Sequence, residues 1–145
     1  MGKKRIITAE QGQKSAVAPK SDTPKVSTKN KVDVGVLYVQ STYNNTKLTL
    51  TDTKGNTLLW SSSGSLSFKG AKKGTPYAAA KVGETLALKA QNMGLKEISV
   101  VVKGVGSGRE SAIRGFISKG VTISSIKDAT PVPTNGPQPK KPRRV

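Results

Sequence analysis

At Val34 the apolar residues begin to recur at every second position, and at Thr75 the repeat lengthens to three and four. It returns to two at Leu95, lengthens again at Arg109 and returns once more at Val121. Side chains alternate across a strand and come back to one face of a helix about every 3.6 residues, so these periods dictate three strands, a helix, a strand, a helix and a strand. A chain in that order folds as one α/β domain with a mixed sheet. Its two strand–helix–strand units cross over right-handedly, which can place helices on the faces of the sheet.

The first strand, Val34 to Thr42, sets Val34, Val36, Tyr38 and Gln40 on one face and Gly35, Leu37, Val39 and Ser41 on the other. Apolar on both faces, it is expected at the centre of the sheet. Tyr43-Asn44-Asn45-Thr46 reads as a turn, Lys47 to Thr53 as a strand alternating through Leu48 and Leu50, and Asp52 to Asn56 as a hairpin turn around Gly55. The third strand, Thr57 to Ser62, holds Trp60, the one tryptophan of the chain. In the first helix, Thr75 to Met93, the residues Ala79, Val82, Leu86, Ala90 and Met93 form a core stripe, and Ala80, Gly83 and Ala87 a small-residue surface for close approach to a sheet. Gly94 stops it. Leu95 to Lys103 is the fourth strand, Arg109 to Lys119 the second helix, ending at Gly120, and Val121 to Ile126 the fifth strand, with Val121 and Ile123 inward.

Two connections carry chemistry. Ser61 to Gly74 is a long loop of small residues closed by Lys69, Lys72 and Lys73, just before Thr75-Pro76, an N-cap followed by proline at the first helical position. Three ammonium groups beside a helix N-terminus suit phosphate. Gly70 and Gly74 have the wrong spacing for a Walker loop. The second connection is Lys103 to Arg114, where Gly104, Gly106 and Gly108 alternate between a β-branched run and a helix start. Glycine lets backbone N–H groups approach an anion, and the helix dipole favours negative charge there, with Lys103, Arg109 and Arg114 around it. The anion is either a nucleotide or a nucleic-acid phosphate. Against a dinucleotide stand the spacing of the third glycine and the lack of a following acid other than Asp128.

Charge chooses between them. Lys and Arg number 25 against 8 acids, a net +17, so the chain repels itself and seeks a polyanion. There is no His and no Cys, which removes the commonest general base and the thiolate metal sites. Two-metal phosphodiester cleavage needs converging carboxylates, and the core offers only Asp52, Glu84, Glu97 and Glu110. Asp52 has a simpler use beside a turn, Glu84 in a surface pair with Lys81 and Glu110 at a helix start. The expectation is a non-enzymatic, cofactor-free nucleic-acid-binding protein. No apolar run reaches the roughly 18 residues of a membrane span, and a cytoplasmic location is expected, an organellar transit segment being the alternative for the basic N-terminus.

Both ends are polar. Residues 1–32 lack a sustained period and read as a disordered basic arm, leaving 33–127 as the RNA-binding domain. Asp128 to Val145 holds five prolines and four cations, Lys140, Lys141, Arg143 and Arg144, and reads as an extended tail able to thread between phosphates.

The residues also carry a family resemblance, from Asp33 to Val145. Tyr43-Asn44-Asn45-Thr46, Thr51-Asp52 with Gly55-Asn56, Trp60-Ser61-Ser62 with Gly64, Phe68-Lys69-Gly70 and Thr75-Pro76-Tyr77-Ala78-Ala79 resemble the bacterial form of the universal small-subunit ribosomal protein eleven family. So do Lys103-Gly104 with Gly106, Gly108-Arg109-Glu110-Ser111-Ala112-Ile113-Arg114, and Asp128-Ala129-Thr130-Pro131 with Pro133, Asn135-Gly136, Lys141 and Arg143-Arg144-Val145. The resemblance implies a ribonuclease-H-like three-layer α/β/α fold with a five-stranded mixed sheet. It implies a structural place on the platform of the small ribosomal subunit, bridging 16S-type rRNA helices and contributing to the Shine–Dalgarno cleft beside mRNA. Small-subunit proteins seven and eighteen are the implied neighbours, initiation factor three a further partner, and no homo-oligomer or membrane is expected. Carried over by motif, the RNA-facing residues are Asn44, Asn45, Lys69, Gly70, Lys72, Lys73, Gly106, Ser107, Gly108, Arg109, Arg114, Asn135, Gly136, Lys140, Lys141, Arg143 and Arg144. Where the family has His-Asn-Gly-Cys-Arg the chain has Thr134-Asn135-Gly136-Pro137-Gln138, without the imidazole and guanidinium. Family members suggest isoaspartate formation at Asn135.

Overall fold

A computed structural model describes residues 32–143. The elements are β1 (Val34–Ser41), β2 (Thr46–Asp52), β3 (Thr57–Ser62), a short 3-10 turn (Gly70–Gly74), α1 (Pro76–Asn92), β4 (Glu97–Lys103), α2 (Gly108–Ile117) and β5 (Thr122–Asp128). The five strands form one sheet in the order β3-β2-β1-β4-β5. β1 pairs antiparallel with β2 and β2 with β3, while β1 pairs parallel with β4 and β4 with β5. β1 is central, as its apolar run requires. The arm expected over residues 1–32 lies outside the described residues, Val32 excepted, and Val32 packs against the core.

The sheet is covered on one face, so the described residues form two layers and not three. β3 runs parallel to β4 through its two antiparallel neighbours, and the crossovers β3-α1-β4 and β4-α2-β5 both step in the same direction along the sheet. Two right-handed crossovers stepping the same way leave their helices on the same side. Under them Leu37, Val39, Leu48, Leu50, Ile98, Val100 and Val102 meet Val82, Leu86, Ala112 and Phe116 in a single core. Phe116, Leu37, Leu48, Leu50, Leu86 and Ile98 are fully buried, each worth about 1.5–3 kcal/mol over exposure. On the other face Tyr38 and Trp60 stand in solvent.

Gly83 and Ala80 of α1 face α2 and not the sheet. A methyl on Gly83 would lie 2.3 Å from the Ala112 carbonyl oxygen, and one on Gly115 would lie 2.4 Å from that of Ala80. The two helices touch backbone to backbone. α1 starts where Thr75 Oγ1 accepts a hydrogen bond from Ala78 N at 3.3 Å with Pro76 in the first turn, and Gly94, at φ +86°, ends it. β5 begins and ends later than the apolar residues indicate: Asp128 is its last residue, opposite Val102, and the tail leaves only at Ala129.

Candidate nucleic-acid interface

Three connections meet at one end of the sheet, where β1 and β4 finish and β2 starts. The turn between β1 and β2 closes on itself, with Thr42 N donating to the Asn45 carbonyl at 2.9 Å and Asn45 N donating to Thr42 Oγ1 at 3.1 Å. It points Tyr43 into solvent, 78% exposed, with Asn44 exposed beside it. Asn45 faces the other way. Its Oδ1 accepts from Ser63 Oγ at 2.6 Å, and Ser63 Oγ also accepts from Thr46 N at 3.2 Å. Ser63 is fully buried, so Asn45 fastens the start of the long loop to the sheet.

From that anchor the loop brings the lysines round. Phe68 N donates to the Ser63 carbonyl at 3.3 Å, Lys69 precedes the 3-10 turn, and Lys72 and Lys73 lie in its last part. Lys69, Gly70 and Lys72 are exposed and Lys73 half-buried. The Lys72 carbonyl accepts from Thr75 Oγ1 at 2.7 Å, which ties the turn to the cap of α1. Two aromatic residues, Phe68 and Tyr77, flank the lysines in sequence and meet each other. Phe68 meets Tyr77 edge-on, 6.2 Å between centroids at 85°, and Tyr77 is 65% exposed. Lys81 stands 5.9 Å from the Tyr77 centroid and is held to Glu84 at 2.9 Å. The hydrogen bond and charge of Glu84 raise the Lys81 ammonium above its ordinary value, and the same bond lowers Glu84. The signal was in the chain: Phe68 directly precedes Lys69, and Tyr77 follows Pro76.

The glycine loop after β4 completes the corner in a way the alternation does not foretell. Gly104, at φ +98°, leaves no room for a side chain, since a Cβ there would lie 2.1 Å from the Ser41 carbonyl oxygen, and one on Gly106 would lie 2.3 Å from that of Thr42. The close approach is to the end of β1. Gly106 N donates to the Ser41 carbonyl at 3.0 Å and Gly104 N to Thr130 Oγ1 at 3.2 Å, so two of the N–H groups expected to face an anion are spent inside the protein. Gly106 and Gly108 are buried, whereas Ser107 is exposed and donates to the Gly74 carbonyl at 3.1 Å, joining this loop to the lysine turn.

Arg109 and Arg114 part company. Arg109 donates to the Gly104 carbonyl at 3.0 Å and pairs with Asp128. Asp128 Oδ1 also accepts from Thr130 Oγ1 at 2.6 Å and Thr130 N at 2.9 Å. Those two bonds first, and Arg109 next, hold the Asp128 carboxyl down at about 2. Asp128 is thus the post on which the tail turns away from the sheet. Arg114 meets only Glu110, at 3.3 Å, with both side chains more than four-fifths exposed. Such solvated pairs are weak, and its guanidinium is available to a phosphate. Asn135, Gly136, Lys140, Lys141 and Arg143 are exposed along the tail, outside any helix or strand, and Arg144 lies outside the described residues.

The acids stay apart. Asp52 Oδ1 accepts from Thr53 N at 2.7 Å in its own turn, Glu84 and Glu110 hold lysine and arginine, and among the described residues no three metal-capable side chains group together. No described helix is long and apolar enough to cross a membrane. In a comparison with known families, the model described as Ribosomal protein S11 matches residues 35–144, from the second residue of β1 through the tail.

Proposed function

The chain belongs to the ribosomal protein S11 family, a structural, non-enzymatic constituent of the small ribosomal subunit that associates with rRNA, and from that premise we propose how it does so. The protein sits on the platform of the subunit and bridges rRNA helices there, contributing to the cleft that receives the Shine–Dalgarno duplex. Small-subunit proteins seven and eighteen are its neighbours, initiation factor three visits the same region, and the ribosome concerned is cytoplasmic. It works by neutralising phosphate and matching shape, with the residues of the corner holding RNA that other parts of the subunit fold.

The observation that carries this reading is the meeting of three connections at one end of the sheet. Lys69, Lys72 and Lys73 come from one, Asn44 from the second, and Ser107 with Arg114 beyond it from the third, while the tail with Lys140, Lys141 and Arg143 leaves from the same end. Asn45, Gly106, Gly108 and Arg109 keep that corner in shape from behind.

Salt dependence tests it. The affinity of the protein for small-subunit rRNA should fall with salt at a log–log slope of about −0.7 to −0.9 per neutralised phosphate. Lys72→Ala with Lys73→Ala should weaken binding and flatten the slope by roughly 1.4 to 1.8, two phosphates' worth. An unchanged slope removes the lysine turn from the RNA interface.

A further inference from the structure

The sheet face turned away from the helices carries exposed aromatic and basic side chains. Register places Trp60 of β3, Thr49 of β2, Tyr38 of β1, Val101 of β4 and Lys127 of β5 side by side across all five strands. Their neighbours on the core side, Leu37, Val39, Leu48, Val100 and Val102, are buried, so this row points outward. Trp60 is 59% and Tyr38 39% exposed. They stand two strands apart, roughly 10 Å, with only a threonine between, which leaves both rings open to planar partners.

The next row toward the basic corner is Ser62, Lys47, Gln40 and Lys103, with Lys47 and Lys103 exposed. The acid on this face is Glu97, at the opposite end of β4, roughly 20 Å from Lys103. Three lysines beside two exposed rings match a polyanion that also carries flat apolar groups. The face is also continuous with the corner, since β1 runs from Tyr38 into the Asn44 turn and β4 from Val101 into Lys103 and the glycine loop.

We infer that this open face binds a single-stranded RNA segment leaving the basic corner, with bases stacked on Trp60 and Tyr38 and phosphates on Lys47, Lys103 and Lys127. The inference rests on the RNA-binding reading above and adds a second surface to it. Exposed aromatics on a sheet are a general platform for unpaired bases, and stacking is worth about 1–3 kcal/mol per base.

Because Trp60 is the one tryptophan, its emission reports on the site directly. The full chain is titrated with a 12-nucleotide oligoadenylate and, separately, with inorganic polyphosphate of similar charge. Oligoadenylate should quench the emission strongly. Trp60→Leu should lower oligoadenylate affinity by roughly 5- to 150-fold and Trp60→Phe restore most of it, with polyphosphate affinity within about twofold throughout. Oligoadenylate that binds without quenching, and equally to the leucine variant, overturns the inference while sparing the corner. A leucine variant that keeps its RNA affinity but no longer retains a neighbouring subunit protein overturns it too, and gives the face to protein. If neither ligand binds the wild-type chain, the underlying RNA reading has failed. Should Trp60→Leu unfold, the quenching measurement on the unaltered chain decides alone.

Discussion

Replacing Gly115 by alanine sets two effects of opposite sign against each other. In a helix interior alanine is better than glycine by about 1 kcal/mol. Against this, the new methyl would lie 2.4 Å from the Ala80 carbonyl oxygen and 3.0 Å from the Ala80 carbonyl carbon and Cα. All three are α1 backbone, which no rotamer change moves aside. Carbon and oxygen in close contact ordinarily stay about 3.3 Å apart, so α2 must withdraw by close to 1 Å and loosen Val82 and Phe116. Overpacking costs about 1–3 kcal/mol, and a collision with backbone belongs at the upper end. The net expectation is a loss of about 2 kcal/mol, lowering Tm by about 10 °C in a domain of this size. Urea unfolding followed by circular dichroism measures it, with the exposed Lys89→Ala as a control within about 0.5 kcal/mol of wild type. A Gly115→Ala protein as stable as wild type, or more so, refutes the backbone contact between the helices. The same change should weaken RNA binding without touching RNA, because α1 and α2 each begin in the basic corner.

Charge reversal should separate the two arginines of α2. Arg114→Glu should impair incorporation into small subunits with stability changed by no more than about 0.5 kcal/mol, whereas Arg109→Glu should free the tail, seen as faster tryptic cleavage after Lys127; equal cleavage in wild type and Arg109→Glu refutes the anchor. Acid should release the same anchor. Folding lowers the Asp128 carboxyl from its ordinary value near 3.8 to about 2, so its stabilising contribution is complete above about pH 4 and lost as pH falls toward 2. The Thr130 amide resonance should titrate near 2, and Asp128→Asn should abolish that titration; a midpoint near 4 removes the assignment.

Much of this fold is legible in hydrophobic period alone. The order of strands and helices, the cap at Thr75 and the stop at Gly94 follow from local physics, because period, side-chain caps and positive φ act within a few residues. What period cannot say is whether a face will be covered. Val36 and Tyr38 alternate as regularly as Leu37 and Val39, and only the direction of two crossovers leaves one set bare. The glycines after β4 announce a close approach but not what approaches, which proves to be the carbonyls of Ser41 and Thr42. Asp128 looks like the first residue of a tail until its partners, Arg109 and Thr130, are seen around it. Phe68 and Tyr77, nine positions apart, become a pair only when the loop folds back.

The parallel pairing of β1 with β4 also has a consequence for the order in which the protein is made. β1 finds β2 at once through a tight turn, but its other edge stays open until the long loop and α1 have been synthesised and β4 arrives. Pairings so distant in sequence form slowly, and an unpaired central strand invites another chain to add to it. Nascent copies carry a surplus of positive charge that holds them apart during that interval. The same positive surplus that suits the chain to a polyanion thus also protects the unfinished sheet from its own kind.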